Sequence, residues 1–170
     1  PGAVTLSGSG KGSANHIAKI RFDNMAEIDT TYVPFRGTGA AITAVLGKQV
    51  TAQWGYSSAG AAYDDQIRLL AIAMETRHPR FPNVPTFREL GYDLVSGAYR
   101  GIAVPSSTSE ELRQRLSTLM SEINQDATFI DKMEEGGFAL IDVTYDQMDD
   151  FMAQKKQEYK IAANSAGLAP

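Results

Sequence analysis

Twice near its start the chain runs from a short β-prone segment into a glycine-rich loop and leaves it as a helix-forming segment. The first unit is Ala3-Val4-Thr5-Leu6-Ser7, then Gly8-Ser9-Gly10-Lys11-Gly12-Ser13. The second is Thr30-Thr31-Tyr32-Val33-Pro34-Phe35, then Arg36-Gly37-Thr38-Gly39. After the first loop, Ile17, Ile20, Met25 and Ile28, with Ala18 and Phe22 nearby, recur close to the helical period, and Ser13 or Asn15 can cap the start. After the second, Ala40 to Leu46 is short and helix-prone, and Gly47 reads as the C′ glycine that ends it. Strands that alternate with helices at this rhythm predict a parallel sheet layered with helices, an α/β fold.

The pattern continues. Gln49 to Tyr56 predicts a third strand, which carries Trp54 and runs into Ser57-Ser58-Ala59-Gly60, with one or two helical turns over Ala61 to Asp65. Arg68 to Ala73 is an apolar run of the length of a buried parallel strand. A stretch punctuated by Pro79, Pro82 and Pro85 ends in Thr86-Phe87-Arg88-Glu89, a capping box that predicts a short helix closed by Gly91. Leu94 to Val104 is β-rich, broken at Gly97 and Gly101 and stopped by Pro105, and reads as a crossing segment or two strands with a bend. Beyond Pro105 the pattern turns helical. Thr108 and Glu111 form a second capping box ahead of an apolar face of Leu112, Leu116, Leu119, Met120 and Ile123. Asp126 to Glu135 predicts a helix ended by Gly136-Gly137, Phe138 to Val143 a strand, and Thr144 with Gln147 a capping box for a last helix to about Asn164. Met148, Phe151, Met152, Tyr159 and Ala162 are its expected buried face.

The 170 residues leave room for one domain or two small lobes. With 16 Lys plus Arg against 20 Asp plus Glu, the net charge of −4 disfavours a nucleic-acid partner, which needs a basic face. The chain has no cysteine, which excludes thiolate metal sites, disulfides and cysteine nucleophiles. No apolar run approaches the roughly 18 residues of a membrane span.

The chemistry of the glycine loops follows from their place. A helix start exposes unpaired N–H groups and a partial positive charge, and glycine lets an anion reach the backbone, so such a loop holds a carboxylate without Lys or Arg. Two of them at the carboxyl ends of parallel strands make a cleft where open α/β sheets bind ligands. The hydroxyls of Ser9, Ser13, Thr38, Ser57 and Ser58 add donors on the same edge. A phosphate loop does not match, because Gly12 separates Lys11 from Ser13 and Leu6 stands where the earlier glycine belongs. A dinucleotide fingerprint fails as well, since the third glycine arrives one residue early. Neither His16 nor His78 has a metal-spaced partner, and no cofactor is expected. For His16 the simpler expectation is a helix-start residue hydrogen-bonded to its own loop. The rival readings are an α/β hydrolytic or phosphate-handling enzyme using Ser13 or Ser57 with His16, and a ligand-sensing regulatory domain of the same fold.

Several segments together resemble one known family. They are Ser9-Gly10-Lys11-Gly12-Ser13-Ala14-Asn15-His16, Tyr32-Val33-Pro34-Phe35-Arg36-Gly37-Thr38-Gly39, Leu69-Leu70-Ala71-Ile72-Ala73, and the long run from Arg77-His78-Pro79-Arg80-Phe81 through Pro82-Asn83-Val84-Pro85-Thr86-Phe87-Arg88-Glu89-Leu90-Gly91. In order and spacing these resemble the extracytoplasmic solute receptors of tripartite tricarboxylate transporters, the Bug family. The resemblance implies a type II periplasmic binding protein-like α/β fold with one lobe complete and the other partial. It assigns residues 1–100 to the second, ligand-binding lobe and 101–170 to a crossing segment and C-terminal helices returning to the first lobe, whose N-terminal part would be absent. It implies a non-catalytic, periplasmic protein binding a small di- or tricarboxylate. Its ligand-binding positions would be Ser9, Gly10, Gly12, Ser13, Gly37, Thr38, Gly39, Ala40, Tyr56 and Ser57. The implied partners are membrane transporter subunits, together with the missing N-terminal segment or another copy of the chain.

Overall fold

The computed structural model describes residues 2–165 and Gly167. Its first part is a run of β1 (Thr5–Ser9), α1 (Ala14–Ala26), β2 (Thr31–Phe35), α2 (Thr38–Leu46), β3 (Ala52–Gln53) and α3 (Ser57–Ala62). The strands form a parallel sheet in the order β2-β1-β3, with Thr5 paired to Thr31, Ser9 to Phe35 and Leu6 to Ala52. Successive side chains on a strand point to opposite faces. In β1 the Ser7 hydroxyl donates to the Ala41 carbonyl of α2 at 3.2 Å, whereas a Cβ on neighbouring Gly8 would meet Asn15 of α1. The two helices therefore cover opposite faces, and the unit has three layers.

Its core is small and apolar. Ile17 and Ala18 come from α1, Ala41, Ile42 and Ala44 from α2, and Val50, Phe81 and Leu94 from the connections. Beside it Phe22 meets Trp54, Phe87 and Tyr92 at ring-centroid distances of 5.2 to 5.6 Å. At the far end of α1 the buried Asp23 carboxylate pairs with Lys19 Nζ at 2.7 Å and accepts the Thr30 N–H at 3.0 Å, so the turn into β2 is fixed by side-chain chemistry.

Three helices follow: α4 (Glu110–Asn124), α5 (Ala127–Glu135) and α6 (Tyr145–Ser165). Their caps are local. Ser109 accepts the Leu112 N–H, Asp126 accepts that of Phe129, and the Thr144 N–H donates to Gln147 Oε1. The Thr108–Glu111 box of the sequence gives way to a cap one residue later, at Ser109. Helix α6 crosses α1 and the segment before Pro105, where the Tyr159 hydroxyl reaches the Gly97 carbonyl at 3.4 Å and Tyr99 meets Phe151 edge-on. The apolar face expected to be buried on α6 is largely exposed: Met152 is 57 % accessible and Met148 40 %, and of that face only Ala162 is buried. In α4 no residue is buried.

Several expected elements differ. The third strand shrinks to Ala52–Gln53, and α3 starts at Ser57, ahead of the turns expected over Ala61 to Asp65. Arg68 to Ala73 forms no strand and makes one parallel bridge, Ile72 to Thr86. The adjoining chain carries Pro82 and Pro85, which lack the N–H groups a ladder needs. Of the two alternatives for Leu94 to Val104 the pair of strands does not form, and Phe138 to Val143 is likewise outside any ladder. In the latter, side chains replace strand bonds, with Asn124 Nδ2 donating to the Ile141 carbonyl and Ser121 Oγ to Asp142. The Thr86–Glu89 box forms reciprocally, at 2.7 and 3.1 Å, but closes a single turn instead of starting a helix. Gly47 keeps φ −78°, and it is Lys48, at φ 56°, that takes the left-handed conformation after α2.

Candidate functional site

Because all three strands run the same way, the starts of α1, α2 and α3 open on one edge of the sheet, in the spatial order α2, α1, α3. Every ligand position expected from the sequence lies on this edge. Ser9 ends β1, Gly10 and Gly12 form the turn, and Ser13 is the N-cap of α1. Gly37 is the N-cap of α2, and Thr38, Gly39 and Ala40 are its first turn. Tyr56 is the N-cap of α3 and Ser57 its first residue.

The first amides of a helix have no acceptor within it. Here those of Ala14 and Asn15 in α1, of Thr38, Gly39 and Ala40 in α2, and of Ser57 and Ser58 in α3 make no hydrogen bond among the described residues. Gly37 has extended backbone and no side-chain cap, so the start of α2 is bare. A Cβ on Gly39 would meet nothing within 4 Å, and the same is true of Gly10. The Gln53 amide of β3 donates to the Thr38 carbonyl at 3.2 Å, tying the two outer connections across the end of β1.

The loop between β1 and α1 is internally bonded. Asn15 Oδ1 accepts the Ser9 hydroxyl at 2.5 Å, and the Tyr32 hydroxyl donates to the Ser9 carbonyl at 2.5 Å. Ser13 Oγ donates to the Ser9 carbonyl and accepts the His16 backbone N–H. The Gly12 N–H, placed at φ +79° where glycine alone is unstrained, donates to His16 Nδ1 at 3.1 Å. Three donors expected to face a ligand, the Ser9 hydroxyl, the Gly12 amide and the Ser13 hydroxyl, are thus engaged within the loop. The His16 ring bonds neither Ser13 Oγ nor Ser57 among the described residues, so the serine–histidine arrangement of the enzymatic reading is not assembled.

Burial raises the Tyr32 pKa, with Ser13 acting in the opposite sense. Burial, then Lys19 and Lys11, lowers the pKa of His16. Asn15, Tyr32 and Gln53 were not singled out as site residues by the sequence. The signal for Tyr32 was Gly8: a glycine inside a strand marks a close approach, and here it makes room for the phenol of the neighbouring strand. The Ser57 carbonyl rests against Gly137, in the turn that follows α5. Among the described residues no three His, Asp or Glu side chains converge as a metal site. A concavity of about 500 Å³ lies elsewhere, between α3 and the proline-rich turn, where Asp64, Arg68, Phe81 and Asn83 line it.

A parallel α/β unit with helix starts gathered on one sheet edge has its open rim where α/β sheets of this kind bind ligands. The model of the tripartite tricarboxylate transporter family receptor matches residues 1–168, and the chain belongs to that family. Protein BugT of Bordetella pertussis is 26 % identical over 98 % of this chain and 52 % of its own length. A Cupriavidus necator protein encoded in the gbd 5′ region is 25 % identical over 99 % of this chain and 52 % of its own. The chain thus spans about half the length of these curated relatives. Among solved structures, an R. palustris protein with adipate superposes at a TM-score of 0.84 and 21 % identity, covering 100 % of this chain and 58 % of that one. MatC from Rhodopseudomonas palustris, with bound malate, gives 0.74 and 23 % over 96 % and 57 %. The fold is that of the TctC solute-binding proteins.

Proposed function

We propose that this chain carries carboxylate-binding surface of an extracytoplasmic solute receptor, and that it works without catalysis. The observation that carries the reading is the gathering of three helix starts on one sheet edge, with unengaged amides in the first turn of each. An anion set against those amides meets directed N–H donors and the positive ends of the helices, with the hydroxyls of Thr38 and Ser57 alongside. Neutral donors of this kind suit a receptor that must release its ligand, because they bind without a full opposite charge. The ligand positions are Ser9, Gly10, Gly12, Ser13, Gly37, Thr38, Gly39, Ala40, Tyr56 and Ser57, with α2 offering the most open surface. The relatives support the ligand class, since two of the similar structures hold malate and adipate. On this reading the protein acts outside the cytoplasm, residues 1–100 form the ligand-binding lobe, and the occupied receptor is read by membrane transporter subunits.

Gly39 supplies the test. Its backbone is outside the left-handed region and the space over its Cα is open, so Gly39→Val is accommodated by the fold. We expect its stability to stay within about 1 kcal/mol of the parent, while calorimetric affinity for a panel of di- and tricarboxylates drops about tenfold as the side chain covers the amides. Equal loss of fold and binding, or unchanged binding, defeats the proposal.

A further inference from the structure

We propose that His16 is a positioning residue whose neutral imidazole clamps the glycine turn between β1 and α1, and that protonation at Nδ1 releases the clamp. The geometry closes a circuit. The ring takes the Gly12 N–H on Nδ1 at 3.1 Å, which holds the tip of the turn back against the first turn of α1. The same ring lies 4.5 Å from that of Tyr32 on β2, and the Tyr32 hydroxyl returns to the Ser9 carbonyl at the end of β1. His16 also gives its own N–H to the cap hydroxyl of Ser13. One side chain thus joins the turn, the helix start and the neighbouring strand.

An imidazole accepts a hydrogen bond on Nδ1 only in its neutral form, with the proton on Nε2. The groups around it favour that form. Lys11 faces it from the turn and Lys19 from α1, the latter paired with Asp23, and Tyr32 packs on it from β2. Burial first, and then the two lysines, hold its pKa below the ordinary histidine range. The clamp is therefore intact above that range and is lost as pH falls through the lowered value. Loss frees a turn that leads directly into the unengaged amides of Ala14 and Asn15, so ligand affinity falls in the same pH interval. That consequence rests on the carboxylate-receptor reading above. The clamp does not.

The experiment is an NMR titration of the isotopically labelled chain, following the His16 ring nitrogens and hydrogen-exchange protection at the Gly12 amide, with malate and adipate affinities measured alongside. Gly12 protection should drop about fivefold as His16 titrates, the equilibrium value of an ordinary hydrogen bond. His16→Asn, whose Oδ1 stands where the ring nitrogen Nδ1 stands and does not titrate, should keep protection at both ends of the range and give a flat affinity profile. His16→Ala should lack protection throughout. If His16→Ala fails to fold, the titration of the unaltered chain decides. Gly12 protection that ignores the His16 titration refutes the clamp, whatever the ligand data show. Protection that tracks His16 in a chain binding neither malate nor adipate upholds the clamp and removes the carboxylate reading.

Discussion

Asp23 is the position where a small change should cost most, and the cost can be worked out contact by contact. The residue is 6 % accessible, and its carboxylate accepts from Lys19 Nζ at 2.7 Å, from the Thr30 N–H at 3.0 Å and from the Thr30 hydroxyl at 2.9 Å. Asp23→Ala removes all three acceptor contacts and leaves an ammonium whose side chain is only 10 % accessible without its partner. Removing one member of a buried pair costs about 3–5 kcal/mol, most of it the penalty of the stranded charge. In a chain of this size each kcal/mol moves the melting temperature by about 2–4 °C, so a fall of about 6–20 °C is expected by calorimetry or by circular dichroism. Asp23→Asn keeps an acceptor for Thr30 and still strands Lys19, so it should recover little. Adding Lys19→Met to Asp23→Asn removes the stranded charge and should restore at least half of the loss, giving a clear coupling energy in the double-mutant cycle. A loss below about 1 kcal/mol for Asp23→Ala, or independent effects of the two sites, contradicts the reasoning.

Further outcomes are expected away from that turn. Glu89 is held at a pKa of about 2, first by hydrogen bonds from Arg77 and then by the Thr86 N–H. Because the native value lies below the unfolded one, its stabilising contribution is complete above the ordinary carboxylate range and is lost as pH falls through about 2. Arg77→Met should raise the midpoint of the Glu89 carboxyl in an NMR titration, and an unmoved midpoint would discount the pairing. Gly137 and Gly91 both have left-handed backbone, at φ +74° and +89°, but only at Gly137 would a Cβ strike backbone, the Ser57 carbonyl at 2.7 Å. Alanine should cost about 1–2 kcal/mol at Gly91 and about 2–4 kcal/mol at Gly137 in urea unfolding. Equal losses would show that backbone conformation alone sets both.

The parts of the fold legible in the sequence are those decided within a few residues. Of the two caps offered for α1 it is Ser13 that forms, Asp126 caps α5, and the Thr86–Glu89 and Thr144–Gln147 pairs make their hydrogen bonds. The two strand–glycine–helix units also stand where the pattern put them, shifted by one or two residues at their ends. What failed was strand existence. Arg68 to Ala73 and Phe138 to Val143 have β-prone composition, but a strand is defined by a neighbour that presents a matching row of donors and acceptors, and composition does not supply one. The apolar face of α6 was likewise correct as periodicity and wrong as burial, since a stripe of Met148 and Met152 says which side is apolar and not what lies against it.

The same division runs through the site. Chain order alone placed glycines and hydroxyls between strands and helices, because turn geometry and helix capping are properties of adjacent residues. It took the parallel pairing of β1 with β2 and β3 to bring three such junctions to one edge, and the alternation of Ser7 and Gly8 across the sheet to put α1 and α2 on opposite faces. Only the folded chain decided which donors are spoken for. Gly12 gives its amide to His16 and Ser9 its hydroxyl to Asn15, while the start of α2 stays open, because those choices depend on side chains meeting at ångström distances after the backbone has closed.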